Sequence, residues 1–241
     1  MKKKLLFSCF LFFSVLISFS QDPWIIKASN INPADYYGIT VANGMVGIVS
    51  SPEPFKIKDV VLAGAYDQYG RGRVSNFLRS FNLLNSYLEI DGKRMDAKSA
   101  SGFQQQLDMQ HGAFTTTFDN GDRASVKYTY YALRHLPYTV LMDVEITAKK
   151  DIIITGASVM EAPDALRDVE NYYNEIDRPH TTISLLTSTA KSPTGKLQMC
   201  ASNAFIFTEH HGSEPRVIHE MWDNNMHLMK FAKKLNVGGS Y

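Results

Sequence analysis

The sequence predicts an all-β domain, an antiparallel β-sandwich with at most one short helix, and three features predict it. Short runs alternate apolar and polar residues at period two, the spacing of a strand with one wet face. Pairs such as Asn43-Gly44 and Asp91-Gly92 separate these runs, where a two-residue hairpin turn needs positive backbone φ. Many short strands punctuated by turn residues point to a sandwich or barrel.

The elements follow in chain order. Ile39-Thr40-Val41 and Met45-Val46-Gly47-Ile48-Val49 flank Asn43-Gly44 as the arms of a hairpin. Residues 57–63 form a short apolar run with β-branched members. Tyr87-Leu88-Glu89-Ile90, Asp91-Gly92 and Lys93-Arg94-Met95 read as a second hairpin. Residues 114–118 and 124–131 flank Asp119-Asn120-Gly121-Asp122, a third. In residues 139–147, Val140, Met142, Val144 and Ile146 share one side while Asp143 and Glu145 take the other. Residues 152–154 follow the polar turn Lys149-Lys150-Asp151. A single helix is expected from Ala162-Pro163-Asp164, with proline in its first turn, through Leu166, Val169, Tyr173 and Ile176, to an end at Pro179. Beyond it, strands are expected at 181–186, 197–201, 205–208 and 226–231. No internal repeat or composition break divides residues 21–241, so one domain is expected there.

The first twenty residues have the layout of an export signal. Lys2, Lys3 and Lys4 precede an apolar run at 5–19, and Ser18 and Ser20 set up cleavage before Gln21. A run of about fifteen residues falls short of the roughly twenty that span a bilayer, so no membrane attachment is expected after cleavage. Cleavage removes three of the 25 basic residues and no acid, leaving 22 against 24 and a net charge of about −2. That balance argues against nucleic acid as a partner. Cys200 is then the one remaining cysteine, so no internal disulfide can form and a hydrophobic core must supply the stability.

The turn motifs carry a likeness. Asn43-Gly44-Met45-Val46-Gly47 resembles the Asn-Gly-x-x-Gly hairpin near the start of glycoside hydrolase family 65 proteins, which include maltose, kojibiose and trehalose phosphorylases and acid trehalases. Val61-Leu62-Ala63-Gly64-Ala65-Tyr66-Asp67 resembles the family's next strand and its Ala-Gly-x-Tyr-Asp turn. Val74-Ser75-Asn76-Phe77, the hairpin Leu88-Glu89-Ile90-Asp91-Gly92-Lys93 and Leu107-Asp108-Met109-Gln110-His111-Gly112 follow in family order. The likeness is clearest over residues 43–155, and Val237-Gly238-Gly239-Ser240-Tyr241 resembles a stretch before the last strands of the family's sandwich.

The resemblance implies a supersandwich-like N-terminal domain, with the chain stopping inside it. In the family an (α/α)6 barrel follows and carries the catalytic glutamate; twelve helices of roughly a dozen residues would need far more helical sequence than this chain has. It therefore implies no catalytic residue here, no cofactor and no metal, with the missing barrel or a dimer mate as protein partner and an α-linked glucoside or oligosaccharide as ligand. Export favours hydrolysis over phosphorolysis for the parent enzyme, since a sugar phosphate made outside the cytoplasm could not readily enter metabolism. A free-standing carbohydrate-binding module and a structural or dimerisation domain are the rival readings.

Glu161, Asp164, Asp168 and Glu170 are the densest carboxylates, and as a charge cluster they read as a solvated face. His210, His211, His219 and His227, near Glu209, Glu220 and Asp223, suggest metal ligands. However, His219-Glu220-Met221-Trp222-Asp223 lacks the second histidine that would complete a helical pair, so packed or surface histidines are expected. Trp24, Trp222, Tyr36, Tyr37, Tyr66 and Tyr69 could stack on sugar rings, against ordinary packing. Met45, Met109, Met142 and Met229 read as core filler. The best binding candidate is the stretch Tyr66-Asp67-Gln68-Tyr69-Gly70-Arg71, taken as a loop at a strand end. Its substrate candidates are Tyr66, Asp67, Tyr69 and Arg71.

Overall fold

A computed structural model describes residues 22–68, 70 and 74–241; the expected export signal at 1–20 lies outside them. Among the described residues the chain is all-β, and its only helical piece is a 3-10 turn, Pro33–Asp35, capped by Asn32. The strands are β1 (Ile25–Ala28), β2 (Thr40–Ala42), β3 (Val46–Ser50), β4 (Ile57–Gln68), β5 (Ser75–Arg79) and β6 (Asn82–Ile90). Next come β7 (Lys93–Arg94), β8 (Ser101–Asp108), β9 (Ala113–Asn120), β10 (Ala124–Ala132), β11 (Val140–Ala148) and β12 (Ile152–Glu161). The last are β13 (Arg167–Arg178), β14 (Thr181–Lys191), β15 (Gln198–Ala204), β16 (Val217–Met221) and β17 (Met226–Leu235).

Four antiparallel sheets result: an outer sheet ordered β1-β8-β9-β10-β11, a central sheet β16-β17-β12-β6-β7, a four-stranded sheet β2-β3-β4-β5 and a three-stranded sheet β13-β14-β15. The predicted hairpins close as their turn residues require. Asn43 Oδ1 accepts from the amides of both Met45 and Val46 at 2.9 Å, with Gly44 at φ +90°. Asp91 and Gly92 both take positive φ, 51° and 73°, which a type I′ turn demands. The Asp91 carboxylate also accepts from the Ile153 amide at 2.9 Å, pinning that turn to β12.

Two apolar cores form. In one, Phe114, Phe118, Val126, Tyr128 and Tyr130 of the outer sheet face Val46, Ile48 and Val60 of the four-stranded sheet and Leu88, Ile90, Ile152 and Ile154 of the central sheet. Burial pushes the Tyr128 hydroxyl up to about 12, so it stays neutral and accepts the Phe55 amide at 3.0 Å. The other core gathers Leu78, Phe81, Met160, Leu166, Leu186, Met199 and Met229 between the central and three-stranded sheets.

Besides the strands β1, β5, β8 and β16, which were not expected, the structure departs from expectation at three places. The segment read as a helix is β13. Its Val169, Tyr172, Tyr173 and Ile176 are β-branched or aromatic, and β14 supplies a complete ladder from Glu170↔Thr189 to Arg178↔Thr181. A register shift at Asp168, whose φ is 53°, offsets Leu166 from the strand and produces the helix-like spacing. Residues 205–208 are not a strand: Phe205 and Phe207 pack while Ile206 is exposed, so the alternation holds without a neighbour to pair with. Third, β4 runs on through Gln68, five residues past the run that announced it.

Phe205 and Phe207 both meet the Phe231 ring edge-on, with centroids 5.0 Å away, and Tyr241 approaches it at 6.0 Å. Gly156 is the residue across from Phe231 in the ladder, and a Cβ there would lie 2.8 Å from the ring. With its ring hemmed in on three sides, Gly156→Ala should lower stability by about 1–3 kcal/mol. Phe231→Leu added to it should recover part of that loss. Urea denaturation of the two variants checks both statements.

Candidate functional site

The predicted substrate stretch is the natural starting point. Tyr66 and Asp67 are strand residues of β4, while Tyr69 and Arg71 lie outside the described residues. Strand alternation sends the two described side chains opposite ways. Tyr66 stands across from Phe77 of β5, and both rings are more than half exposed, at 58% and 56%. Asp67 is turned inward and 5% exposed. Its carboxylate accepts from the Thr194 amide at 2.9 Å, the Thr194 hydroxyl at 2.7 Å and the Gln68 amide at 2.7 Å. These bonds, with the Ser192 hydroxyl foremost, hold its carboxyl far below the usual range. Asp67 therefore fastens the turn between β14 and β15 to β4.

The other carboxylates are dispersed. Glu161 accepts from Asn85 Nδ2 at 3.3 Å and borders a groove of about 140 Å³ shared with Lys58, Asp59 and Arg79. Asp164 is exposed, Asp168 pairs with Lys191 at 3.0 Å, and Glu170 accepts from the Tyr172 hydroxyl. A larger groove of about 330 Å³ crosses the outer sheet, but its acids are each matched to a cation: Asp119 to Lys149 at 2.8 Å and Glu145 to Lys127 at 3.3 Å. Among the described residues, every carboxyl whose titration is displaced moves downward, through hydrogen bonds or cations. A general acid for glycosidic cleavage needs the reverse displacement.

The aromatic candidates also separate. Tyr36 is bound by Ser50 Oγ at 2.5 Å and Gln105 Oε1 at 2.8 Å, a packing role, whereas Tyr37, Trp24 and Trp222 face solvent. Met229 is buried, Met142 half-buried, and Met45 and Met109 are exposed. Cys200 is exposed on β15. Among the described residues no group of three or more metal-type side chains converges. His211 lies at a turn, 3.7 Å from Glu214 and 3.9 Å from Asp177.

His219 and His227, weighed above as metal ligands, do converge, together with Ser188, which the sequence reading did not include. His227 and Ser188 are 0% and 1% exposed and hydrogen-bonded at 2.8 Å, and the two imidazoles meet at 3.3 Å. The signal was present: His227, Met229 and Phe231 share the inward phase of one strand.

Residues 38–232 match the family model described as glycosyl hydrolase family 65, N-terminal domain. A kojibiose hydrolase of Mucilaginibacter mallensis is 69% identical over 222 residues, 92% of this chain and 33% of that protein. A kojibiose hydrolase of Flavobacterium johnsoniae is 45% identical over 99% of this chain and 36% of that protein. The chain thus spans about a third of the curated relatives it matches. The solved structure "Putative kojibiose phosphorylase from human microbiome" superposes with a TM-score of 0.66 at 12% identity, over 91% of this chain and 31% of that one, which establishes likeness of fold.

If Asp67 is a fastener, Asp67→Asn and Thr194→Val should each lower the urea midpoint, and the double variant should fall no further than the worse single one. Because the folded-state carboxyl is depressed, its contribution is complete above the ordinary carboxylate range and fades only as pH falls beneath it. Midpoints measured at pH 7 and pH 3 test the sign.

Proposed function

Since the chain belongs to glycosyl hydrolase family 65 through that family's N-terminal domain, we propose that it is the non-catalytic β-sandwich portion of an exported α-glucoside hydrolase acting on kojibiose. The observation that supports this reading is the close match, along nearly its whole length, to hydrolases of which it makes up about a third. The described carboxylates agree with it chemically. Cleavage of a glycosidic bond needs one carboxylic acid still protonated at working pH and a nucleophile activated opposite it. Asp119, Asp168, Glu209 and Glu220 are instead held ionised by Lys149, Lys191, Lys233 and Lys230. In this reading the proton donor belongs to a catalytic module, and the sandwich frames its pocket.

Tyr66 is the residue best placed to contribute to that frame. It presents an open ring beside Phe77, next to the stretch that holds Tyr69 and Arg71. A pyranose offers such a surface its apolar C–H face. The paired exposed rings also favour a second reading, in which the chain binds a glucoside without a catalytic module. Calorimetry of the purified chain with kojibiose separates the two, since heat of binding lost in Tyr66→Ala supports the second.

For the first reading, the purified chain should release no glucose from kojibiose, maltose or trehalose. Fusion to the remaining two thirds of the Mucilaginibacter enzyme should yield kojibiose hydrolysis, and Tyr66→Ala in that fusion should raise KM more than it lowers kcat. Glucose released by the chain alone would end the proposal. Export has its own test: protein recovered from outside the cytoplasm should begin at Gln21.

A further inference from the structure

Among the described residues, three groups of buried or half-buried hydrogen bonds help join the three-stranded sheet to its neighbours besides the apolar core. Asn203 Nδ2 of β15 donates to Leu83 O at 2.9 Å and Ser158 Oγ at 2.8 Å, and the Thr194 turn is held by Asp67. The third is a chain of hydrogen bonds whose directions are fixed by counting protons. Ser188 Oγ of β14 donates to Asn171 Oδ1 of β13 at 2.6 Å, so its one hydrogen is used. It must accept from His227 Nε2–H of β17 at 2.8 Å. His227 Nδ1 is then the acceptor, and His219 Nε2 of β16 donates to it at 3.3 Å. Asn171 Nδ2 closes the chain on Asn224 O at 2.8 Å, in the turn between β16 and β17. The His219 ring also lies flat on Tyr173 of β13, with centroids 4.8 Å apart and planes 2° from parallel.

We propose that Asn171, Ser188, His219 and His227 form an acid-opened latch between the three-stranded and central sheets. The weak point is the His219–His227 link, which needs His227 Nδ1 unprotonated, whereas the Ser188 and Asn171 bonds survive a charged imidazole. One proton shared between the facing nitrogens would have to sit in a dry site; two would set N–H against N–H and charge against charge. Among the described residues, the groups that touch His227 carry no negative charge. His219 faces it from β16 and Ser188 from β14. From β13, Asn171 reaches it through Ser188 and Tyr173 through the His219 ring, with Glu175 engaged at the Tyr173 hydroxyl at 2.8 Å, and Met160 pairs with it on β12. Burial, then the His219 charge, lowers His227 from 6.5 to about 4, and burial lowers His219 as well.

The direction follows from linkage. Once released, His227 takes up a proton near its ordinary value, whereas in the closed latch it does so only near 4. Opening is therefore favoured as pH falls from about 6.5 towards 4 and levels off below. Between pH 7 and 4.5 the open fraction should rise roughly fiftyfold from His227 alone. The Asp67 fastener stays ionised across this window and Asn203 does not titrate, so release should be confined to the latch end of the sheet.

Amide hydrogen exchange of the whole chain, corrected for the intrinsic effect of pH, tests the latch. Peptides covering residues 169–188 and 217–221 should lose roughly fiftyfold of their protection between pH 7 and 4.5, while β9 and β10 keep theirs. In His227→Gln, which retains a donor for Ser188, this pH dependence should disappear. Should that variant fail to fold, the imidazole resonances of the unmodified chain decide the matter, with His227 titrating well below the ordinary imidazole value of 6.5. Uniform loss of protection, pH-independent protection at 169–188, or His227 titrating at the ordinary imidazole value would each overturn the proposal.

Discussion

The fold depends on β12 keeping its register. One face of this strand serves both cores: Ile152 and Ile154 enter the first and Met160 the second. Two small residues, Gly156 and Ser158, lie between them. Gly156 leaves room for Phe231, and Ser158 Oγ takes the hydrogen bond from Asn203 that holds β15. A slip of one residue would turn this whole set to the opposite face, opening both cores and releasing a fastener together. The shift between Val159 and Glu161 in the pairing with β6 comes at the end of β12, while its pairing with β17 runs unbroken to Glu161.

What the sequence revealed divides along the range of the forces involved. The hairpins at Asn43-Gly44 and Asp91-Gly92 were legible because turn and ladder are settled within a dozen residues, by φ and by one side chain bonding its own backbone. β13 was not. Its identity is set by β14 and by the irregularity at Asp168, neither of which leaves a periodic trace, and the apolar spacing imitated a helix. Residues 205–208 show the converse, since Phe205 and Phe207 alternate as in a strand while packing on each other and on the Phe231 ring rather than pairing with a neighbour. Periodicity reports which face is buried, and pairing is a separate fact.

The same division governs the candidate site. Motif order pointed to residues 66–71, and strand geometry then separated Tyr66, which looks outward, from Asp67, which is consumed by Thr194 more than a hundred residues away. Adjacent residues in one motif thus have unrelated duties. His219 and His227 were considered as metal ligands because of their residue type, yet their importance lies in the partners that β13 and β14 bring to them. No local pattern contains Ser188 or Asn171.

A scaffold of this kind favours division of labour. Holding four sheets together with few loops places carboxylates where backbone amides, hydroxyls and lysines satisfy them, as at Asp67, Asp119 and Glu209. Each such contact stabilises the ionised form and removes an acid from proton transfer at neutral pH. Raising a carboxyl instead requires burying it without donors, which a sheet full of inward amides rarely permits. The outward face is left open, and Tyr66 and Phe77 keep exposed rings there. Chemistry that depends on a reluctant acid sits more naturally in a separate module, and the position of this chain as one third of its relatives agrees with that physical argument.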